Sequence, residues 1–278
     1  MTLHRTVWLL PLLTGLLLSA CAKPTTLGPK VSAEEIAAER DRQVEIAHGD
    51  VEVDYGTFNY GRGKLLEFQQ RLQRIADKLS PAATKLCREI KGPDANCDMY
   101  IELSPSGKGI NAHADGHKIV VYPALVDFAK SDTHLALVIA HEYTHHFMRH
   151  VQSQQGNVLV GALLGTAADA VAASQGMQTQ GQFGKLGAQA SILAYSPSFE
   201  TEADYIALYM LARAQYPYES APNFWREMAK NNPRGIYNRT THPTTPERFV
   251  GMTKTIEEIK AKQKAGAPLL PNMQPTKS

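Results

Sequence analysis

The residues best suited to chemistry are His141, Glu142 and His145, which form the pattern HExxH. Residues four apart on an α-helix share one face, so both imidazoles can reach a single metal ion. Glu142, one position further round the helix, can then face a water molecule bound to that ion and accept its proton. The pattern predicts a metal site with two histidine ligands and a carboxylate base.

A third ligand is expected from the acidic segment ETEAD at 200–204, about 55 residues beyond His145. Glu200 would complete a His-His-Glu set for one zinc ion per chain and leave a fourth position open, as a catalytic zinc requires. Asp204 shares the face of Glu200, so we expect it to orient a ligand imidazole, whereas Glu202 points elsewhere. An alternative stays open, because the helix dipole also favours acidic residues at a helix start. Manganese or cobalt can replace zinc in such a site in vitro.

The composition predicts one large domain or two small ones with a substantial core. Of 278 residues, 43% are hydrophobic and 20% are charged, which excludes wholesale disorder. The 29 Lys and Arg residues balance 27 Asp and Glu residues, with no long run of one sign. We therefore expect no nucleic-acid partner.

The spacing of apolar residues predicts the helices that must hold these side chains. Ser32 followed by Glu35 indicates the start of a first helix, and Pro81 indicates the end of a second. The HExxH helix is expected to begin at 131 or 132 and to reach His150. The predicted helices cover 33–47, 64–79, 132–150 and 198–214, with a short one around 224–228.

Short apolar runs with turn signals predict a small β-sheet beside the HExxH helix, with strands at 100–103, 109–112 and 118–122. The turn at 114–116 joins the last two strands as a hairpin. The Gly- and Ala-rich segment 157–194 is too short to span a bilayer and predicts a helical hairpin that is buried or touches a membrane. Its small residues also suit close helix packing. The expected fold class is α+β, mainly helical.

The first residues predict export. Residues 1–20 have the charged start and apolar stretch of a signal peptide. The tetrapeptide LSAC, ending at Cys21, resembles the bacterial lipobox, in which the cysteine is lipidated and becomes the new N-terminus. Residues 21–31 would then be the lipidated Cys and a flexible tether, and no Asp follows to indicate retention in the inner membrane. An ordinary signal peptide with a chance cysteine is the alternative.

Cys87 and Cys97 remain for the folded part of the chain. An exported protein keeps disulfides, so we expect these two cysteines to pair across a short loop. A two-thiol metal or redox site is the alternative, but the sequence lacks both the Cys-x-x-Cys spacing and further ligands nearby.

From about 51 to 252 the sequence resembles the zinc metallopeptidase family that includes the CAAX prenyl protease, HtpX, the mitochondrial protease OMA and the periplasmic proteases BepA and LoiP. The resemblance rests on segments that occur in the family's order: NA at 111–112, IVV at 119–121, HExxH, ETEAD, FWREM at 224–228, and THP at 241–243 with Arg248. It implies a gluzincin-like metallopeptidase domain, which we place over 32–264. The prolines after Gly266 predict a disordered tail at 265–278. The sequence departs from the family at Pro197, Ala207 and His113, which leaves the pocket walls undefined.

The resemblance also implies roles for individual residues. The equivalents of His141, His145 and Glu200 bind zinc, Glu142 is the general base, and Asp204 supports a ligand. His242 and Arg248 match a downstream histidine and arginine implicated near the metal and the substrate oxyanion. His242 could instead occupy the open metal position and hold the enzyme latent. An extended substrate would pair with the strand formed by Ile119, Val120 and Val121, if that strand is a sheet edge.

The resulting interpretation is a zinc endopeptidase anchored by lipid to the bacterial outer membrane and facing the periplasm. Its expected partners are unfolded or misassembled envelope proteins, including outer-membrane proteins, in protein quality control. The alternative is a chaperone or assembly factor with a silent peptidase site. A tethering lipoprotein is a third hypothesis, but it leaves the metal-binding pattern unexplained.

Overall fold

The computed structural model describes residues 23–47, 60–98, 100–104, 109–186, 197–231, 242 and 245–275. Within these residues the chain is mainly helical with one small sheet, so the predicted α+β class is confirmed. The predicted signal peptide and Cys21 lie outside the described residues.

Eight α-helices carry most of the described chain. Their order places the HExxH pattern on α4 and the acidic segment on α6. A short 3₁₀ turn lies at Tyr218–Ser220, and a short helical segment at 182–186. The helices are α1 (Ala33–Ala47), α2 (Arg62–Lys91), α3 (Pro123–Phe128), α4 (Asp132–Phe147), α5 (His150–Ser174), α6 (Pro197–Arg213), α7 (Asn223–Asn231) and α8 (Pro246–Lys264).

The predicted helix starts are set by side-chain caps. The Ser32 amide donates to the Glu35 carboxylate at 2.8 Å, and the Glu35 amide donates to the Ser32 hydroxyl at 3.2 Å. This is a complete capping box, which satisfies two amides that the helix itself leaves unpaired. Ser131 caps α4 in the same way by accepting from the His134 amide at 3.2 Å.

The predicted end of the second helix at Pro81 is wrong, because α2 continues to Lys91 with the proline inside it. A proline in a helix interior costs about 3 kcal/mol through its missing N–H and its steric clash. Beyond it, Leu86 and Cys87 extend the same buried face, and burying one leucine side chain contributes about 1.5–3 kcal/mol. Core packing therefore outweighs the local stop signal.

The HExxH helix is shorter than predicted. α4 ends at Phe147, and Arg149 adopts a left-handed conformation with φ of 60° before α5 begins at His150. This change of direction means that His150 belongs to the next helix. Its side chain consequently approaches α4 from outside that helix.

The sheet has the strand order β1-β3-β2. β1 (Tyr100–Leu103) is parallel to β3 (Lys118–Val121), and β2 (Ala112–Ala114) forms the predicted antiparallel hairpin with β3. β2 begins three residues later than predicted, after Gly109 with its φ of 79°.

The prediction that a substrate pairs with Ile119, Val120 and Val121 required their strand to be a sheet edge, and this requirement is not met. All three residues pair with β1 on one side, and all three also pair with β2 on the other. A strand with both neighbours in place has no free main-chain groups for a third strand. The strand next to α4 that has a free edge among the described residues is β2.

The core is built around α4 and α6, which pack against each other and are buried along almost all of their length. Helices that are apolar on every side belong in a protein interior. α2 and the sheet cover α4, while α8 covers α6. The two segments that carry the chemistry are therefore held on the two most buried helices of the fold.

The two segments predicted as a flexible tether and a disordered tail pair with each other, so those predictions are corrected for 23–31 and 265–275. The Leu27 amide donates to the Asn272 carbonyl at 2.7 Å, and the Gln274 amide donates to the Thr25 carbonyl at 2.8 Å. Thr26 and Met273 form an isolated antiparallel bridge between them. We call this pairing of 25–27 with 272–274 the terminal clasp.

The Gly- and Ala-rich segment forms α5 and the helical segment 182–186, which folds back on it. A Cβ at Gly165 would lie 2.1 Å from the Phe183 carbonyl oxygen, so small residues do permit a close approach here. Of the two predicted alternatives, burial does not hold for Leu159 and Leu163, which are 62% and 54% exposed, while contact with a membrane stays a prediction. Residues 187–194 lie outside the described residues.

None of the helices described by the structure is long and apolar enough to cross a membrane.

Candidate metal centre

Three predicted ligands, His141, His145 and Glu200, converge in the buried contact between α4 and α6. The Nε2 atoms of the two histidines are 3.0 Å apart. The Glu200 carboxylate oxygens lie 3.4 Å from His141 Nε2 and 3.3 Å from His145 Nε2. Two ligands of a tetrahedral zinc ion at 2.0–2.1 Å stand about 3.3 Å apart, so this spacing fits zinc.

The outward nitrogen of each histidine is held by a buried partner. His141 Nδ1 lies 2.9 Å from Asp204 Oδ1, so Asp204 lies beside the imidazole of a candidate ligand. His145 Nδ1 lies 2.9 Å from Nδ1 of His150, at the start of α5. Such outward hydrogen bonds fix the ring orientation of metal-binding histidines and the nitrogen that faces the metal.

Arg248 contacts the two buried carboxylates of the site, those of Asp204 and Glu200. Its guanidinium group makes two hydrogen bonds to the Asp204 carboxylate at 2.6 and 2.8 Å, and lies 3.1 Å from Glu200 Oε2. It also lies 4.2 Å from the centre of the Trp225 ring. The predicted oxyanion role does not agree with these contacts, because they direct the cation at two buried carboxylates. The contacts instead favour a role in holding those carboxylates in place.

The charges at the site depend on one another. Burial disfavours the charged form of His141, but Glu200 and Asp204 outweigh this effect and raise the pKa of His141 to about 9. Burial and the neighbouring His141 hold the pKa of His145 well below its usual range. Burial also opposes ionisation of Glu200, but His242, Arg248 and His141 lower the pKa of that carboxyl. The site therefore keeps the Glu200 carboxylate charged, and a metal ion that binds there displaces the proton of His141.

Glu142 is buried on the same helix as the histidines and takes the position predicted for the base. Its Oε1 atom lies 3.3 Å from His242 Nε2. Its Oε2 atom is buried with no hydrogen-bond partner among the described residues. An unpaired buried carboxylate oxygen is costly, and a water molecule held beside a metal ion would satisfy it.

His242 is the fourth side chain of the cluster. Its Nδ1 atom lies 3.3 Å from His141 Nε2 and 3.1 Å from Glu200 Oε1, while its Nε2 atom faces Glu142. The ring therefore stands between the other ligands and the base. This is the place predicted for it by the latency hypothesis, and the fourth ligand position is the one that a catalytic water would take.

Glu202 has contacts that the sequence did not predict, since its spacing indicated only that it points away from Glu200 and Asp204. It is buried and binds His150 Nε2 through Oε2 at 2.8 Å. Its other oxygen accepts from the amides of Thr25 and Thr26 at 2.6 and 2.8 Å. The spacing of ETEAD could have indicated this, because Glu202 lies about 200° round the helix from Glu200 and must contact a different neighbour.

The other predicted residues lie away from the cluster. Cys87 and Cys97 form the predicted disulfide, with Cα atoms 5.8 Å apart. Four other histidines whose side chains the structure describes lie outside this cluster: His113, His117, His134 and His146.

Comparison with known proteins gives the same assignment as the site geometry. Residues 69–256, about two thirds of the chain, match Peptidase family M48. The chain is 28% identical over 146 residues to the mitochondrial metalloendopeptidase OMA1 of Saccharomyces cerevisiae, covering 50% of this chain and 41% of that protein. It is 32% identical over 132 residues to the beta-barrel assembly-enhancing protease of Yersinia pestis, covering 43% of this chain and 26% of that protein.

A plant relative, the OMA1 metalloendopeptidase of Arabidopsis thaliana, is 33% identical over 133 residues, covering 47% of this chain and 26% of that protein. The matched regions span between about a quarter and two-fifths of these relatives' lengths. The family match includes α4 and α6 with their His-His-Glu cluster and Glu142. The chain belongs to Peptidase family M48.

Proposed function

We propose that this protein is a zinc-dependent metalloendopeptidase. The observation that carries the proposal is the convergence of His141 Nε2, His145 Nε2 and the Glu200 carboxylate beside Glu142, whose Oε2 has no described partner. When bound there, zinc polarises a peptide carbonyl and lowers the pKa of water. Glu142 accepts a proton as the attack occurs and delivers it to the leaving amine. His141 and His145 keep their positions because Asp204 and His150 hold their outward nitrogens.

The edge of β2, which is unpaired among the residues that the structure describes, supports an extended protein substrate. In the hairpin with β3, His113 lies in a hydrogen-bonded pair, so the amides and carbonyls of Ala112 and Ala114 face away from β3. β2 also packs against α4, the helix that carries His141 and His145. An unfolded segment could add to this edge as a strand, which presents main-chain carbonyls in a regular row.

His242 supports a latent resting state. Its ring contacts the other ligands and Glu142 at the same time, so substrate and water need it to move aside. Replacing it by alanine should raise the turnover of an unfolded substrate without loss of zinc. Lower activity with zinc retained would instead favour an oxyanion role for His242, and unchanged activity would contradict both roles.

The biological setting that we propose is the bacterial cell envelope, where the protein would be a lipoprotein of the outer membrane facing the periplasm. The leader at 1–20, Cys21 of the lipobox-like tetrapeptide and the disulfide support this placement. The substrates would be misassembled envelope proteins, in line with the name of the beta-barrel assembly-enhancing protease relative. A chaperone with a silent peptidase site is the second candidate, favoured by the position of His242.

The test compares wild type with Glu142→Gln on the chain from Lys23, with zinc content and casein cleavage measured on the same samples. We expect both proteins to bind one zinc ion and only wild type to cleave. Equal cleavage by the variant would exclude Glu142 as the base. Zinc binding with no cleavage by either protein, and none by His242→Ala, would support the chaperone.

A further inference from the structure

A buried chain of hydrogen bonds leads from the terminal clasp to the metal ligand His145. It runs from the amides of Thr25 and Thr26 to Glu202 Oε1, from Glu202 Oε2 to His150 Nε2, and from His150 Nδ1 to His145 Nδ1. The two amide contacts and the two contacts between side chains all measure 2.6–2.9 Å. His150, Glu202 and His145 are each buried.

The donor and acceptor roles along this chain follow from its two ends. At the clasp end, main-chain amides only donate, so they hold Glu202 Oε1 as an acceptor. At the metal end, a zinc-bound His145 uses the lone pair of Nε2, so its hydrogen is on Nδ1 and it donates to His150 Nδ1. His150 then carries its own hydrogen on Nε2 and donates it to Glu202 Oε2.

The consequence for His145 is a fixed tautomer. With its hydrogen on Nδ1, the lone pair of Nε2 faces the atoms of His141 and Glu200, 3.0 and 3.3 Å away. Asp204 accepts the corresponding Nδ1 hydrogen of His141 directly. For His145 the acceptor is a second histidine, His150, whose ring stacks on Phe199 with ring centres 4.5 Å apart.

We propose that Glu202 and His150 are positioning residues that set the tautomer of His145, and that the terminal clasp is part of the metal site through the amides of Thr25 and Thr26. This inference rests on the proposed zinc site. A segment only a few residues from Cys21 thereby helps to set zinc affinity. Removing a partner of this kind lowers metal affinity by about 10- to 100-fold.

Glu202→Gln gives the sharpest test. The two amides force the glutamine oxygen towards the clasp, so its NH₂ group must face His150 Nε2. His150 then carries its hydrogen on Nδ1 and donates to His145, which leaves the hydrogen of neutral His145 on Nε2, where the metal should bind. We expect zinc affinity, measured by competition with a chelator, to fall about 10- to 100-fold.

Thr26→Pro tests the clasp separately, because proline lacks the main-chain N–H that donates to Glu202. Thr26→Ala is the matched control, because it keeps that N–H. We expect weaker zinc binding for the proline variant and near wild-type binding for the alanine variant. Glu39→Gln is the control for loss of a buried carboxylate, since Glu39 pairs with Arg42 and Arg226 and not with the site. Circular dichroism identifies any variant that fails to fold.

Nitrogen-15 NMR of the histidine rings in the zinc-loaded wild type reads the tautomer directly and requires no variant. A hydrogen on Nδ1 of His145 and on Nε2 of His150 is expected. The opposite arrangement, or wild-type zinc affinity in Glu202→Gln, would overturn the inference. Failure of wild type itself to bind zinc would refute the proposed function instead, so the two failures are distinguishable.

Discussion

Replacing Arg248 by methionine tests whether this residue holds the site together or acts on the substrate. The guanidinium group is 2% exposed and faces the buried carboxylates of Asp204 and Glu200. Methionine keeps much of the length and the packing against Trp225, but it removes the charge. Two buried carboxylates then lose their cationic partner at the same time.

The expected magnitude follows from that burial. Removing one partner of a buried ion pair costs about 3–5 kcal/mol, because the remaining charge stays desolvated. For a domain of this size each kcal/mol lowers the melting temperature by about 2–4 °C, so we expect a fall of roughly 6–20 °C in the zinc-free protein. Added zinc should recover part of it, since the ion would neutralise Glu200.

The assay is thermal and guanidinium unfolding of wild type and variant, each with zinc and with a chelator. Arg226→Met is the matched control, because Arg226 is 35% exposed and lies 3.7 Å from Glu39. A pair of that kind contributes about 0–1 kcal/mol. If Arg248→Met unfolds within 1 kcal/mol of wild type and loses only turnover, the positioning role is wrong and the oxyanion role returns.

Three further results are expected for the zinc-free protein. First, breaking the Cys87–Cys97 bond, by reduction or by the double substitution Cys87→Ser and Cys97→Ser, should lower the free energy of unfolding by about 3 kcal/mol. The reason is that the bond closes a loop with a sequence separation of 10 in the unfolded chain. An unchanged free energy of unfolding after reduction would contradict this. Tyr143→Phe should cost about 1–2 kcal/mol in denaturant unfolding, since its hydroxyl donates to the Cys97 carbonyl at 2.6 Å; a neutral result would show that this carbonyl finds another donor. Burial opposes ionisation of Asp204, but Arg248 outweighs it and lowers the pKa of Asp204 from its usual value. The stability from this ionisation is therefore complete above the unfolded pKa and is lost as the pH falls through the folded pKa. In unfolding curves measured over a series of pH values, Asp204→Asn should reduce the loss of stability at acid pH. An unchanged loss would mean that other carboxyl groups cause it.

The sequence by itself determined the features that depend on local spacing. HExxH and ETEAD placed the three candidate ligands and the base on helix faces, because a helix has a fixed number of residues per turn. The capping box at Ser32 and the hairpin turn at 114–116 were equally local, and the structure shows both. The cysteine pair needed only a short loop.

The tertiary structure decided which distant residues meet. Pro81 lies inside α2 because core packing outweighs a local stop signal. β3 is the central strand because β1 pairs with the side of β3 that the hairpin with β2 leaves open. The contact of Glu202 with His150 and Thr26 joins residues separated by 52 and 176 positions. Sequence spacing carries no information about such contacts, because they depend on how whole helices pack. The ligands of the site were therefore predictable, while the hydrogen bonds that orient them required the fold.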